Sequence, residues 1–461
     1  MQLHKRLLRA HWPLWVILIV YFSVGGLYAW RVPAWQTPDE PAHYNYIRQL
    51  AQAGSFPIIE MGDYDQQFLS EKVRPPKTRP DVSLDAVQYE DHQPPLFYAL
   101  AAPLFKLFDG ALLPLRLFSL FISGWTIVFA YRALLSVFPN QPEIAPLAAA
   151  VLALIPQHIH MMAGLNNDAL AEALIALTVL LSTCLLVNAA SPQVEAGLSP
   201  RLLVGLGIVV GLSFVTKATA YLNLPIALAA ILGASWGRRS VKTITLSLAI
   251  VIVIAVAIGL PWWLRSLQVY GGLDFLGLQR HNEVVVGQPT TREWLEQFGP
   301  AIYLARMAQT TFQSFWGQFG WMSVVMNTWT YALLLVFTAL SMLLFAGWWI
   351  WTTLMRGGRG RLTTPQRHVL SLYALLALGT LAGFLWYNIQ FVQHQGRYLY
   401  PALIPFATAV ALGWTFAAGA VATRWPPVRR YLWTAFLIGL AGFNLYLLWR
   451  VVLPGMDAAL F

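Results

Sequence analysis

Eleven long apolar runs divide the chain, with short polar turns between most of them. A helix that crosses a bilayer needs roughly 20 mostly apolar residues. The runs cover residues 13–31, 114–136, 144–163, 169–189, 201–217, 218–236, 242–262, 329–354, 369–391, 400–421 and 431–452. This pattern predicts an all-α polytopic membrane protein with about 11 transmembrane helices.

A twelfth apolar run, residues 94–108, is predicted to lie flat on the membrane surface. It contains Pro94, Pro95 and Pro103. At about 1.5 Å per residue it reaches about 22 Å, which is less than the roughly 30 Å hydrocarbon core. We therefore expect an interfacial helix rather than a span.

Basic residues in the short turns support this choice and set the predicted orientation. With the N-terminus in the cytoplasm and 94–108 on the surface, three basic clusters fall inside, as the positive-inside rule requires. If 94–108 spanned, all three would fall outside. The clusters are Arg238, Arg239 and Lys242; Arg356, Arg359, Arg361 and Arg367; and Arg424, Arg429 and Arg430. We predict a multi-pass protein of the cell (inner) membrane.

Two long segments then lie on the outer, extracytoplasmic side. Long ordered loops often carry function. The predicted division is a catalytic transmembrane module at 1–261 that includes a first outer loop at 32–113, a second outer loop at 262–328, and C-terminal transmembrane helices at 329–461.

Composition agrees with a membrane protein. Hydrophobic residues make up 57% of the chain and charged residues 11%, whereas soluble domains are about a quarter charged. The formal charge of +10 forms no basic stripe, so nucleic acid is excluded as a partner. Cys184 is the single cysteine, which rules out a disulfide within one chain.

The first acidic motif follows the first span and contains Asp39, Glu40 and His43. It has two interpretations. Thr37 and Glu40 fit a capping box for a helix that ends at Gly54. Alternatively, a carboxylate beside hydrocarbon has a raised pKa and becomes suitable as a general base. Capping leaves Asp39 and His43 unexplained.

A second acidic motif lies between the third and fourth spans. Asn167 or Asp168 could cap the fourth helix. Asp168 also falls on the same predicted side of the membrane as Asp39, which favours a shared site. Glu172 lies one turn further into the span, where ionisable groups are costly and are usually paired or functional.

Several cationic or polar residues sit near the same predicted surface and could bind a lipid phosphate. Interfacial snorkelling explains any single one equally well. Lys217 is the hardest to explain that way, because it lies between two apolar runs with no acid nearby in sequence. The candidates are His92, Arg116, Lys217, Arg265 and Arg397.

These motifs together resemble the C-fold (GT-C) superfamily of membrane glycosyltransferases, in its protein O-mannosyltransferase and lipid A aminoarabinose transferase branch. The chain looks closest to bacterial members whose first loop begins with Pro-Asp-Glu-Pro-Ala-His. The motifs occur at residues 37–43, 92–98, 115–117, 167–168, 216–217 and 395–398.

The resemblance implies juxtamembrane helices in the first outer loop and a catalytic aspartate there, which by position is Asp39. Glu40 and Asp168 would act beside it. The aminoarabinose branch has a lysine directly before its Pro-Pro pair, where this chain has Gln93, so the phosphate contact is expected elsewhere. The expected substrate and carrier-phosphate contacts are His43, His92, Gln93, Arg116, Asn167, Lys217, Arg265, Arg397 and Tyr398.

The predicted function is transfer of a sugar from a polyprenyl-phosphate-linked donor to an acceptor hydroxyl at the outer membrane face. Asp39 is the expected general base, with inversion at the anomeric carbon. The acceptor is a glycan, a lipid or a protein. The sequence indicates no definite cofactor. A divalent metal between Asp39 and Asp168 stays open, because two carboxylates alone do not define a metal site.

Two other functions stay open. A polysaccharide polymerase or ligase also uses lipid-linked sugars, and would depend on an outer loop rich in arginine and histidine; Arg265, Arg280, His281 and Arg292 partly fit. A lipid or solute transporter would show broken helices at mid-membrane and internal repeat symmetry.

Overall fold

A computed structural model of the chain describes residues 2–74, 83–190, 198–236, 240–354, 361–425 and 427–457. Four arginines of the predicted inner clusters, Arg238, Arg239, Arg356 and Arg359, lie outside these residues. The α-helices are α1 Gln2–Arg31, α2 Glu40–Ala53, α3 Gln66–Phe68, α4 Leu96–Leu107, α5 Leu112–Val137, α6 Ile144–Ala153, α7 Pro156–Met162, α8 Asp168–Ala189, α9 Pro200–Phe214, α10 Asn223–Ser235, α11 Val241–Tyr270, α12 Leu278–Val284, α13 Thr291–Trp316, α14 Thr328–Leu354, α15 Thr364–Gln390, α16 Leu403–Ala422, α17 Pro427–Leu447 and α18 Leu453–Asp457.

Short irregular elements complete the described chain. The 3₁₀ helices are Ala218–Leu222 and Gly396–Ala402, and the π-helical turns are Leu69–Val73 and Leu448–Val452. Strands β1 (Gln318–Phe319) and β2 (Val324–Val325) form a small antiparallel hairpin.

Nine helical segments in the described ranges are long and apolar enough to cross a membrane, and a bent pair of helices makes a tenth. The prediction of an all-α polytopic membrane fold is therefore confirmed. The nine are His11–Arg31, Leu112–Val137, Asp168–Ala189, Ala218–Ser235, Val241–Tyr270, Thr328–Leu354, Thr364–Gln390, Gly396–Ala422 and Pro427–Met456.

The predicted span at 201–217 forms α9, which has only 15 residues. It packs closely along α11, because Gly207 and Gly211 leave room for Ile254 and Ile258. A Cβ atom at these glycines would lie 2.9 Å and 2.7 Å from the isoleucine side chains. The run at 94–108 forms the short helix α4, as its length predicted, and its position relative to the membrane stays a prediction.

The predicted continuous span at 144–163 is broken. Helices α6 and α7 meet at an angle of 65°. Ile155 is extended (φ −65°, ψ 121°) and Pro156 begins α7. A proline disfavours helical geometry in the residue before it, so a break at this point is expected from Pro156 even though the run is apolar throughout.

The two long loops fold together at one end of the helix bundle. They share a small hydrophobic core, separate from the core of the bundle. Arg265, near the end of α11, also donates hydrogen bonds to the carbonyls of Phe56 (3.2 Å) and Pro57 (2.6 Å) in the first loop. The members of the loop core are Ala42, Ile59, Tyr64, Leu69, Val73, Val87, Tyr89, Val284, Val285 and Phe391. Which side of the membrane this end faces, and the three-part division of the chain, remain predictions.

Candidate active site

The first acidic motif adopts a strained turn between α1 and α2. Trp35 and Asp39 both have left-handed backbone conformations, with φ of 69° and 67°. Such conformations are costly for residues other than glycine and are often found at functional sites. Helix α2 begins at Glu40 with Asp39 as its N-cap residue, and no side chain caps it. The predicted capping box is therefore wrong, whereas the end of the helix at Gly54 is confirmed.

Asp39 forms an ion pair with Arg397, which lies 358 positions away in the chain. The Arg397 Nη2 and Asp39 Oδ2 atoms are 2.6 Å apart, and the Tyr89 hydroxyl donates to Oδ1 at 2.8 Å. Burial raises the pKa of Asp39, but the charges of Arg397 and His43 and the two hydrogen bonds outweigh it and hold the pKa at about 2. The predicted rise in pKa is thus wrong for this state, because Arg397 neutralises the carboxylate.

Asp168 forms a second ion pair, with Lys217. The Lys217 Nζ and Asp168 Oδ1 atoms are 2.6 Å apart. Asp168 begins α8, and Lys217 directly precedes the 3₁₀ helix Ala218–Leu222. The carboxylates of both pairs stay accessible, since 21% of the Asp39 side chain and 27% of the Asp168 side chain are exposed.

His43, in the first turn of α2, contacts Tyr98. Its Nδ1 is 2.9 Å from the Tyr98 hydroxyl, and Asn167 donates to the same hydroxyl at 3.4 Å. Burial lowers the pKa of His43 and outweighs the charge of Glu90, which raises it; the charge of Lys217 lowers the pKa further, while Asp39 and Asp168 oppose the shift. His43 thus senses the charges of Lys217, Asp39 and Asp168, and the convergence of the two pairs on one cavity stays a prediction.

Asn167 and Gln93 complete the polar contacts between the first loop and α8. Asn167 occupies the N-cap position of α8, but its side chain does not cap the helix. Its amide instead donates to Gln93 Oε1 at 3.3 Å. The Gln93 carbonyl accepts from the Tyr46 hydroxyl at 3.1 Å. Gln93 therefore braces the site in the position where the resembling branch has a lysine.

Glu40 and Arg116 form a third ion pair, which is fully buried and saturated. Arg116 donates to both oxygens of Glu40, through Nε at 2.7 Å and Nη2 at 2.6 Å. Its remaining N–H groups reach the carbonyls of Ala29, Val32 and Pro33. Backbone N–H groups of Trp35 and Leu165 occupy the rest of the carboxylate. We therefore revise the prediction for both residues: neither has a free polar atom for substrate, and the pair holds the Asp39 turn in place.

Breaking this pair is expected to destabilise the protein strongly. Arg116→Ala would leave Glu40 buried without a counter-ion, which costs about 3–5 kcal/mol. Thermal unfolding in detergent measures the loss. Arg48→Ala is the matched control, because it removes the exposed Arg48–Asp85 pair, and such pairs contribute at most about 1 kcal/mol. Equal losses in the two variants would refute the structural role.

Arg265 and His92 make contacts that join the two long loops. The Arg265 guanidinium stacks over Trp262 at 4.5 Å and holds the first loop through Phe56 and Pro57, and its role as a phosphate contact stays a prediction. His92 packs against His281 of the second loop, with ring centroids 4.5 Å apart. Burial, followed by the proximity of His281, keeps the pKa of His92 well below its usual value.

Tyr398 and Gly396 flank Arg397 on its 3₁₀ turn. The guanidinium lies over the Tyr398 ring, 5.2 Å from its centroid. The Gly396 N–H donates to Ser314 Oγ at 2.7 Å. A Cβ atom at Gly396 would lie 2.2 Å from the Phe315 nitrogen and 2.4 Å from the Thr311 carbonyl oxygen. The turn that carries Arg397 is therefore pressed against α13 at a point where only glycine fits.

Gly396→Ala is accordingly expected to displace Arg397 and to lower activity at least about tenfold, because misplaced binding groups lose catalytic effect steeply. The measurement is the rate of sugar transfer by the purified variant. Gly383→Ala is the control, since a Cβ there meets nothing within 4 Å. Normal activity of Gly396→Ala would show that the close approach to α13 is unimportant.

A divalent metal does not fit the residues present. In the described ranges, no group of three or more histidine, cysteine or acidic side chains is arranged to hold one. Asp39 and Asp168 are each paired with a basic side chain, whose charge would repel a cation. Two cavities, of about 540 Å³ and 600 Å³, flank α12, and neither is lined by Asp39 or Asp168.

The sequence analysis did not identify three residues that contact its candidate residues: Tyr89, Tyr98 and His158. Tyr89 binds Asp39, and it lies in a loop segment with no distinctive motif. Tyr98 contacts His43. It is the last residue of the motif at 92–98, so the family resemblance could have identified it. His158 Nε2 lies 2.8 Å from Glu172 Oε2, and the sequence analysis singled out Glu172 without a partner.

Comparisons with known proteins bear on this fold and site. The model of the dolichyl-phosphate-mannose-protein mannosyltransferase family matches residues 92–263. No curated protein matches the chain significantly. Among solved structures, ArnT from Cupriavidus metallidurans, bound to undecaprenyl phosphate, matches with a TM-score of 0.51 and 15% identity, over 97% of this chain and 73% of that one.

The chain thus shares its fold with ArnT, and its residues 92–263 match the mannosyltransferase family model. Two further matches of similar fold come from Archaeoglobus fulgidus. The oligosaccharyltransferase tethered to an acceptor peptide has a TM-score of 0.53 and 14% identity, over 98% of this chain and 55% of that one. The oligosaccharyltransferase AglB, in complex with an inhibitory peptide and a dolichol-phosphate, has a TM-score of 0.53 and 13% identity, over 98% and 56%. The chain thus spans little more than half the length of these oligosaccharyltransferases.

The family match covers only part of the candidate site. It includes Asp168 and Lys217, but it begins after Asp39 and ends before Arg397. The pairing of the two regions is therefore an observation of the three-dimensional structure rather than of the family match.

Proposed function

We propose that the chain is a membrane glycosyltransferase that moves a sugar from a polyprenyl-phosphate-linked donor to an acceptor hydroxyl. The observation that carries this proposal is a set of two partly exposed acid–cation pairs, Asp39–Arg397 and Asp168–Lys217, whose charges act on one another and on His43. ArnT bound to undecaprenyl phosphate and AglB bound to a dolichol-phosphate share the fold of this chain, which supports a lipid monophosphate as the carrier.

The donor phosphate is bound by Arg397 and Lys217. Hydrogen bonds from ionised donors to phosphate are short and strong. The buried Nε of Arg397 has no hydrogen-bond partner in the described structure. Both cations also meet the negative charge that develops on the phosphate as it leaves.

Donor binding also activates Asp39. Arg397 holds the pKa of Asp39 at about 2, which makes the carboxylate a weak base. A phosphate that draws Arg397 away removes this stabilisation, and the burial of Asp39 then raises its pKa. The base thus becomes effective only when the donor is in place.

In the chemical step, the acceptor oxygen attacks the anomeric carbon from the face opposite the phosphate. The bond between carbon and phosphate oxygen breaks, and its electron pair stays on the phosphate. Asp39 takes the proton of the acceptor hydroxyl. The configuration at the anomeric carbon is inverted. Asp168 holds Lys217 in position during this step.

The site is proposed to face the extracytoplasmic side of the inner membrane, with the N-terminus in the cytoplasm. The positive-inside rule supports this orientation through described residues such as Lys242, Arg361, Arg367 and Arg424. The bilayer itself is the third partner, because it holds the polyprenyl tail.

Reconstitution tests the proposal. Purified protein in liposomes is supplied with undecaprenyl-phosphate-linked sugars and a cell-envelope extract as acceptor. We expect release of undecaprenyl phosphate and gain of one sugar by an envelope component, both dependent on acceptor. A transporter would redistribute the donor lipid without releasing its carrier phosphate, and that result would overturn the proposal.

A further inference from the structure

A buried pair of ionisable side chains, His158 and Glu172, takes no part in the function described so far. His158 Nε2 and Glu172 Oε2 are 2.8 Å apart, and both side chains are almost completely buried. Ionisable groups inside membrane spans are costly and usually serve a function. The pair therefore calls for an explanation beyond ordinary packing.

One end of the pair is tied to the Asp168–Lys217 pair. Asp168 and Glu172 lie four residues apart on α8, so their side chains project from the same face of the helix, one turn from each other. Asp168 reaches Lys217 from this face, and Glu172 reaches His158. Helix α8 therefore links His158 to Lys217, and a movement of His158 relative to α8 changes its distance from Lys217 as well.

The other end is tied to the turn that carries Arg397. The His158 ring meets the ring of Tyr400 at right angles, with centroids 5.1 Å apart. Tyr400 follows Arg397 by three residues in the 3₁₀ helix Gly396–Ala402, and its hydroxyl donates to the Phe315 carbonyl at 3.0 Å. The Arg397 turn is thus held between α13 and His158.

The break in the helix at Pro156 positions His158 between Glu172 and Tyr400. Helix α7 departs from α6 at 65° and is anchored by the neighbouring Gln157, whose Oε1 accepts from the Gln318 N–H at 3.0 Å. His158 is therefore fixed from two sides, by Glu172 and by the hairpin β1–β2.

We propose that Glu172 and His158 are positioning residues that set the distance between Arg397 and Lys217, so that both cations meet one phosphate. This inference rests on the proposed function. The pair does not touch substrate. It acts through Tyr400 on Arg397 and through α8 on Asp168 and Lys217.

Binding of undecaprenyl phosphate to the purified full chain, measured by native mass spectrometry, tests this role. Glu172→Ala is expected to weaken binding at least about tenfold, because the hydrogen bond that holds His158 is lost. Glu172→Gln keeps an oxygen acceptor for His158 and is expected to stay within about threefold of the unmodified protein. Ser182→Ala, a buried change further along α8, is the control and should leave binding unchanged.

A double-mutant cycle distinguishes positioning from general stability. If Glu172 acts through Arg397, then adding Glu172→Ala to Arg397→Gln should weaken binding by less than about twofold more, since coupled residues are non-additive. A purely structural pair would give the same factor in both backgrounds. That result, or unchanged binding by Glu172→Ala alone, would overturn the inference.

Hydrogen–deuterium exchange separates this inference from the proposed function. Glu172→Ala should speed exchange in residues 396–402, and Glu172→Gln should not. This comparison needs no substrate. If the unmodified protein binds no undecaprenyl phosphate, the proposed function fails, whereas unchanged exchange in Glu172→Ala refutes the positioning role itself.

Discussion

Asp39→Asn is expected to lower the rate of sugar transfer at least about 100-fold while the protein folds normally. A positioned general base typically contributes about 10²–10⁴ in rate, and the asparagine amide cannot accept the proton. Folding should survive because asparagine is among the residues that best tolerate a left-handed backbone, which residue 39 adopts at φ 67°. The measurement is transfer by the purified variant at saturating donor.

Asp109→Asn is the matched control. Asp109 is also an aspartate in a left-handed conformation, at φ 48°, but it is exposed on the connection between α4 and α5. This variant should keep full activity. If Asp39→Asn lost only a few-fold in transfer while staying folded, Asp39 would not be the base.

Arg397→Gln is expected to weaken binding of undecaprenyl phosphate at least about tenfold and to change how stability depends on pH. The first effect is the loss of a charge-assisted contact to the phosphate. The second follows from Asp39, whose pKa of about 2 lies below the value of about 3.9 expected in the unfolded chain. A depression of this size contributes about 2 kcal/mol of stability.

The sign of the pH effect follows from linkage. Because the folded pKa is depressed, the contribution is fully present above about pH 4 and is lost as the pH falls toward 2. Arg397→Gln removes it, so the variant should be less stable than the unmodified protein at neutral pH, and the difference should shrink below about pH 4. Arg397→Lys keeps the charge and should retain much of the stability. A pH-independent difference would contradict the pairing.

Much of the fold follows from the spacing of apolar residues. Each long, uninterrupted apolar run became a helix, because a backbone in hydrocarbon must satisfy its own hydrogen bonds. The third run broke at Pro156, where one proline outweighed a continuous apolar pattern. The run at 201–217 formed a shorter helix, because the chain turns into the 3₁₀ segment Ala218–Leu222 directly after Lys217.

The sequence indicated which residues belong to the candidate site more readily than it indicated which of them pair with each other. Orientation alone grouped Asp39, Asp168, Lys217 and Arg397 on one predicted side. It could not show that Arg397 pairs with Asp39 and thereby lowers its pKa, because that contact joins residues 358 positions apart.

The same limit applies to Glu40, Arg116 and Arg265. Sequence placed all three among the charged groups of the site, since each lies near the same ends of the spans. Glu40 and Arg116 instead saturate one another, and Arg265 binds the backbone of the first loop. The three-dimensional contacts are needed to distinguish a charged side chain that is already paired, such as Glu40 or Arg116, from one that can bind a ligand.

The most direct test of the central claim is a structure of the protein in a lipid nanodisc with undecaprenyl phosphate bound. The proposed function predicts that the phosphate lies within hydrogen-bond distance of both Arg397 and Lys217, and that the Arg397 guanidinium has moved away from Asp39. A phosphate bound elsewhere, with both acid–cation pairs intact, would contradict it.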